Sequence, residues 1–357
     1  MSKAPAESLR ESDVYEGAPH PRLARTLIGH GAAEAELLDG YLSERLAHAW
    51  LIGGPEGIGK ATLAWRLARF ILANPDPAAR AVRDARNLDV DPGHPAARQV
   101  AALGHPDLAL LRRNWDAKNK KYFTQIAAGD VRAAVEVFHK HSGMGGWRIC
   151  LVDCAEDLNL QGANALLKMI EEPPARSLFL IVAHRPGQAL ATLRSRCRKL
   201  SLAMLSPDEI SQAVRALGEP WSAIAPAELT AAARQANGSV REALKRLDPE
   251  TIAVRALIDA TIAQLPQADF RAVHKLADAV AGRGEGDAFE ALMNAIYDWL
   301  SARLRVEASG RARQALGDLW DKTRAATREV DALNLDKKLH VLAVFAEFAA
   351  TARVAPL

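Results

Sequence analysis

The run from Trp50 to Lys60, WLIGGPEGIGK, leaves a folding chain few choices. Trp50-Leu51-Ile52 reads as a short buried strand, the glycines after it as a sharp loop, and the residues from Lys60 as a helix. In that helix Ala64, Leu67, Ala68 and Ile71 fall at i, i+3, i+4 and i+7, the spacing of one buried face. Gly54-x-x-x-x-Gly59-Lys60 fits the phosphate-loop pattern, in which glycines let backbone N–H groups converge on phosphate oxygens. The helix N-terminus behind the loop adds a partial positive charge and Lys60 a full one. The next residue is ordinarily Ser or Thr, whose hydroxyl holds Mg²⁺; here it is Ala61. Thr62 follows, but its side chain points about 100° further round a helix. The candidate nucleotide-binding set is therefore Gly54, Gly57, Gly59, Lys60, Ala61 and Thr62, a site short of one catalytic part.

At 357 residues the chain has room for two or three domains with substantial cores. A net charge of +3 permits contact with nucleic acid without demanding it. Cys150, Cys154 and Cys197 make neither a disulfide framework nor a metal quartet, and read as buried thiols. No apolar run reaches the ~18 residues of a membrane span. Met1 to Pro21 lacks the apolar centre of a signal peptide. The expectation is a cytoplasmic protein with no membrane partner.

Residues 1–20 read as a poorly ordered lead-in, and Gly31–Leu46 as a helix with Leu37, Leu38, Tyr41, Leu42 and Leu46 on its apolar side. In residues 73–107, His94 and His105 suit surface or capping roles better than a metal site. A strand at Leu108–Leu111 precedes Arg112–Lys121, RRNWDAKNKK, expected as an exposed basic hairpin or loop. A helix over Asp130–His139 and a glycine-rich turn over Ser142–Gly146 come next. Arg148–Asp153 is an apolar strand ending in a carboxylate, where phosphate-loop proteins place the Asp that positions Mg²⁺. The helix Asn159–Glu172, with Leu160, Ala163, Leu167 and Ile170 inward, stops at Pro173-Pro174. Ser177–Ala183 is continuously apolar, a strand covered on both faces, and Leu193–Lys199 is unusually basic. Strands alternating with helices imply an α/β sheet through residue 202. Beyond Leu202 the strands stop. Ser206-Pro207-Asp208-Glu209 carries an N-cap, a Pro at N1 and a Glu at N3. A second helix start lies at Gly238-Ser239-Val240-Arg241. From Thr251 onward the chain reads helical, with one stripe of Phe289, Leu292, Met293, Ile296 and Leu300 and another of Leu339, Leu342, Phe345 and Ala346.

Glycine loop, strand Asp, Pro-stopped helix, apolar strand, Ser-Arg-Cys and Gly-Ser-x-Arg in this order resemble the clamp-loader AAA+ proteins. GPEGIGKATLAWRLARFIL, NALLKMIEEPPARSLFLIVAHRP, RSRC and the C-terminal NLDKKLHVL are similar to the delta-prime family of bacterial DNA polymerase III. The resemblance implies an α/β AAA+ module at 1–202, a parallel sheet flanked by helices. It also implies a small all-α lid at 203–250 and an all-α collar for oligomerisation at 251–357. Its implied partners are gamma/tau-type ATPase subunits and a delta subunit, with the sliding clamp and primed DNA met through the complex. Arg196 in Ser195-Arg196-Cys197 matches the family's trans-acting arginine, which serves a neighbour's ATP site. Arg241 matches the lid arginine that contacts nucleotide, and Asp153 the strand carboxylate.

The chain also departs from the family. Cys154 stands where an active ATPase has the Glu that activates water, and Glu156 and Asp157 are out of register. The polar residue that senses γ-phosphate corresponds to Ala183, which cannot hydrogen-bond, or to His184. ATP or ADP binding at a degenerate site is thus compatible with Gly59, Lys60 and Arg241, while hydrolysis is expected to fail. Residues 73–107 hold no cysteine, so the zinc insert of many family members is not expected, and packing or capping must stabilise the segment. An autonomous AAA+ motor acting on DNA is the rival reading; it calls for Ser or Thr at 61 and Glu at 154. A nucleotide-responsive binding module unrelated to DNA is the third.

Overall fold

A computed structural model describes residues 11–15, 17–119, 121–139, 146–267, 269–281, 286–307, 309–333 and 335–354. The chain divides into two compact units, residues 1–244 and 245–357. The first carries seven strands among the described residues: β1 (Ala49–Gly53), β2 (Leu108–Arg112), β3 (Trp115–Asp116), β4 (Lys121–Tyr122), β5 (Arg148–Asp153), β6 (Ser177–Ala183) and β7 (Arg198–Ser201). Five form one sheet in the order β2-β5-β6-β1-β7, every neighbouring pair parallel. β3 and β4 make a separate antiparallel hairpin.

Side-chain alternation divides the core between the two faces of this sheet. Trp50, Ile52, Ile149, Leu151, Leu180 and Val182 point one way, against the helices Gly31–Leu42, Lys60–Ala73 and Pro95–Ala101. Leu51, Leu111, Cys150, Val152, Phe179 and Ile181 point the other way, against Ala128–His139, Leu160–Glu171 and Ala191–Arg196. With both faces covered, the central strands need continuously apolar interiors. β1 and β6 are accordingly buried throughout. After β1 the chain leaves for the far edge at β2 and returns through β5 and β6, so strand order reverses beside β1. Ligands of open α/β sheets lie at the carboxyl ends of strands at such a reversal.

The expected helix at Gly31–Leu46 ends at Leu42, where Ser43 caps it, although Leu46 still packs on the core. The turn expected at Ser142–Gly146 lies outside the described residues apart from Gly146. In residues 73–107, His94 Nδ1 accepts from the Ala96 N–H at 3.2 Å and caps the Pro95–Ala101 helix. His105 Nδ1 accepts in the same way from Asp107 N–H at 3.2 Å. Val82, Leu88 and Val100 of this segment are buried in the core.

Four expectations need correction. The lead-in is not loose over its described part, because Glu11 and His20 are buried. Arg112 ends β2 with its side chain in a buried ion cluster, so only the later part of the basic segment is an exposed hairpin. Leu160 is 64% exposed; it is the first helical residue after the Asn159 cap, one turn ahead of the buried row that starts at Ala163. The basic stretch before Leu202 contains a strand, β7, whose only buried residue is Leu200.

Past β7 the capping box at Ser206 and Glu209 forms as expected, opening the helix Pro207–Arg215. Pro226–Gln235 follows, and Val240–Leu247 begins in the first unit and runs into the second. The second unit continues with helices Pro249–Ile262, Phe270–Val280, Gly286–Val306, Gly310–Leu333 and Lys337–Val354. Its core contains all five residues of the stripe from Phe289 to Leu300. The last helix is turned relative to expectation. Val341, Val344, Phe345 and Phe348 are buried, whereas Leu339 is 63% exposed.

Candidate functional site

The phosphate loop runs from the end of β1 to the start of the Lys60–Ala73 helix. Its backbone needs glycine at three points: Gly54, Gly57 and Gly59 have φ of 144°, 77° and 106°. Neighbouring segments fix the loop. Gly54 N–H donates to the Ala183 carbonyl at the end of β6, 3.2 Å away, and Val240 N–H donates to the Gly57 carbonyl at 2.9 Å. His30 Nε2 donates to the Ile58 carbonyl at 2.7 Å. A Cβ on Gly57 would lie 2.3 Å from Ser239 Oγ and 2.5 Å from Arg241 Cβ. The Ser239–Arg241 segment therefore sits directly on the loop.

A cleft of about 720 Å³ opens beside the loop, lined by Gly57, Gly59, Lys60, Ala61, Thr62, Asp153, Cys154, His184 and Arg241. The same cleft is walled by Ser12, Asp13, Tyr15, Ala18–Pro21, Leu23–Ile28 and the apolar Leu205, Ala213, Leu217 and Leu244. Its volume suits a small organic ligand, for which clefts of roughly 300–1,000 Å³ are usual. Lys60 is buried and its ammonium donates to the Pro55 carbonyl within its own loop. Burial lowers it to about 8 against the opposing pull of Asp153, Glu56 and Glu156. Burial also raises Asp153 to about 8, reinforced by the Asp13 charge and opposed by Lys60.

The carboxylates next to Asp153 are committed elsewhere. Glu156 accepts from the Arg185 backbone N–H, and Asp157 lies 2.9 Å from Arg113 Nε. Cys154 is buried, and burial pushes its thiol well above the ordinary range. His184 Nδ1 is buried without a hydrogen-bond partner, and burial together with the Lys60 charge disfavours its protonated form. Arg241 Nε lies 3.2 Å from Glu56 Oε1, and its guanidinium stands 5.7 Å from the centre of the Tyr15 ring. These residues offer an anion a cradle of backbone donors, a lysine and an arginine. For a divalent cation they offer less, since Ala61 has no donor atom and burial disfavours the charged form of Asp153.

Arg196 belongs to a different surface. It ends the Ala191–Arg196 helix with its side chain exposed, paired with Glu171 and donating to the Thr192 carbonyl at 3.3 Å. The structure thus gathers Gly57, Gly59, Lys60, Ala61, Thr62, Asp153 and Arg241 around one cleft, with Gly54 at the base of the loop, and leaves Arg196 out.

The feature that sequence reasoning missed is the wall made by described residues between Ser12 and Ile28, held in place by buried charges. Arg22 pairs with Glu11 at 2.6 Å, Arg112 with Asp13 at 2.6 Å and Glu11 at 3.0 Å, and His20 Nε2 with Asp13 at 3.0 Å. Burial opposes ionisation of Asp13, yet His20 and Arg112 hold its carboxyl below the ordinary range. The one signal in the sequence was the pairing of Glu11 and Asp13 with basic residues at 20, 22 and 112. The last of these is too distant to be read from spacing.

Comparison with known proteins adds a family context. The family model described as "DNA polymerase III, delta subunit" matches residues 30–206. DNA polymerase III subunit delta' of Pseudomonas aeruginosa is 32% identical over 183 residues, 48% of this chain and 51% of that protein. The subunit delta' of Yersinia pestis is 28% identical over 227 residues, 62% of each chain. DNA polymerase III subunit tau of Salmonella typhimurium is 28% identical over 229 residues, 64% of this chain and 33% of that protein. The chain therefore spans about half to three fifths of the length of these delta' relatives. Among solved structures, a gamma-subunit-related protein of Thermotoga maritima aligns with 88% of this chain and 99% of its own. The identity is 14% and the TM-score 0.43.

Proposed function

Since residues 30–206 make this chain a delta-prime-like relative of the DNA polymerase III clamp-loader subunits, we propose that it is a non-hydrolysing scaffold subunit. In this role it assembles with gamma/tau-type ATPase subunits and a delta subunit to help load the sliding clamp on primed DNA. The observation that carries the reading is the split between cleft and arginine. Arg196 is exposed on a surface apart from its own cleft, which supports a role toward an ATP held by another subunit. A guanidinium brought onto developing phosphate charge contributes about 10³–10⁵-fold to the rate of such a site.

The chain's own cleft is read as a nucleotide site without turnover. Gly57, Gly59 and Lys60 would hold phosphates and Arg241 would reach them from the lid side. A bound nucleotide would contribute charge to bind and order these groups, and no more. Cys154 cannot activate water, Ala61 cannot ligate Mg²⁺, and Glu156 and Asp157 are held by Arg185 and Arg113. Loss of a general base costs about 10²–10⁴-fold. ATP hydrolysis by the isolated chain, followed by phosphate release, is expected to stay at background. Turnover near the ~1–10³ s⁻¹ of ordinary enzymes would overturn the scaffold reading in favour of an autonomous motor.

A further inference from the structure

The strap ahead of the first long helix is anchored at two places. On the sheet side Glu11 and Asp13 are tied to Arg112 at the end of β2 and to Arg22 and His20. On the helical side Trp221 Nε1 donates to the Gly17 carbonyl at 3.2 Å, and the Tyr15 and Trp221 rings meet edge to face at 6.3 Å. Tyr15 is thus a fixed surface between the anchors. The Arg241 guanidinium lies 5.7 Å from its ring centre.

Arg241 has a well-placed backbone and a long side chain with many rotamers. Its helix start is bonded to the loop through Val240 N–H and the Gly57 carbonyl. A guanidinium at the end of a long side chain gains little from that alone, because its rotamer entropy is large. Glu56 engages one edge of the five-donor fork at 3.2 Å, but both partners of that ion pair are partly exposed and such pairs hold weakly. An aromatic face at cation–π distance supplies the missing restraint and takes none of the N–H donors that a phosphate needs.

We propose that Tyr15 is a positioning residue. Its ring face, braced by Trp221 and the strap, holds the Arg241 guanidinium over the phosphate loop for an incoming nucleotide phosphate. The proposal rests on the reading of the cleft as a nucleotide site, and its test separates the two. ADP carrying a fluorescent ribose label is titrated into the full chain, wild type against Tyr15→Ala, Tyr15→Phe, Arg241→Ala and the Tyr15→Ala/Arg241→Ala double variant. Expected are binding by wild type, a two- to fivefold loss in Tyr15→Ala, by roughly the strength of an exposed cation–π contact, and recovery in Tyr15→Phe. The double variant is expected to bind like Arg241→Ala, since Tyr15 acts only through the arginine. Equal affinity of Tyr15→Ala and wild type overturns the proposal. So does an equal loss with Arg241 already removed, which would place Tyr15 on the ligand itself.

If wild type binds no labelled ADP, the nucleotide reading of the cleft fails and the arginine is examined directly. Its Nε–H resonance is followed by ¹⁵N relaxation in wild type, Tyr15→Ala and Tyr15→Phe. An ordered signal in wild type and Tyr15→Phe that becomes mobile in Tyr15→Ala supports positioning. Identical relaxation in all three chains overturns it.

Discussion

Burial works against the charge on both Lys60 and Asp153, bringing each to about 8. Near neutral pH these shifts favour the charged lysine and the protonated aspartic acid. An unfolded Asp loses its proton near pH 4. Between there and pH 8 the folded chain keeps a proton that the unfolded chain has shed, so stability falls as pH rises. Above pH 8 Lys60 acts in the opposite sense, because the unfolded lysine stays charged to about pH 10.4. Asp153→Asn removes the first effect. It is predicted to unfold at higher urea than wild type at pH 8, by more than about 1 kcal/mol, and at nearly the same urea near pH 4.5. An equally steep decline in both chains would assign the pH dependence to another group. A charged lysine at the cleft floor, beside an acid that burial pushes toward its neutral form, would suit an anionic ligand.

The strap and the phosphate loop are elements whose neighbours impose their shape. Arg112 holds Glu11 and Asp13 in a buried cluster. Arg112→Ala is predicted to cost about 3 kcal/mol, as loss of one partner of a buried ion pair does. It should also raise hydrogen exchange in residues 11–23 selectively; unchanged exchange there would mean that other contacts hold the strap. Gly57→Ala is predicted to destabilise by about 1–3 kcal/mol, through its φ of 77° and the contact with Ser239 and Arg241. Relief of that loss by Ser239→Gly would confirm the contact, and no relief would assign the cost to the backbone alone. The elements legible in the sequence were those whose burial is complete and periodic. β5 and β6, whose interiors are continuously apolar, were read to the residue, and the Ser206 capping box was written in four neighbouring residues. β7 escaped because an edge strand with one buried leucine among basic residues has no apolar pattern. The strap escaped because its burial comes from charge partners up to 101 positions away, which no local window contains. The last helix was misread by its rotation, since its apolar residues cover more than one face and only packing chooses among them.

At the scale of the whole molecule, the two compact units divide the labour of folding. The first builds a cleft beside the phosphate loop at the strand reversal next to β1, and the second buries an all-helical core of its own. No described helix is long and apolar enough to cross a membrane. The proposed role, a subunit whose catalytic contribution is delivered outward through the exposed Arg196, makes a direct prediction for the assembled complex. The most direct measurement is ATP turnover by a complex of gamma/tau-type and delta subunits reconstituted with this chain, wild type or Arg196→Ala. Assembly is checked by size so that only complete complexes are compared. Loss of the turnover of the ATP site that borders this chain, with assembly intact, is the predicted result. Full turnover in the Arg196→Ala complex would contradict the account.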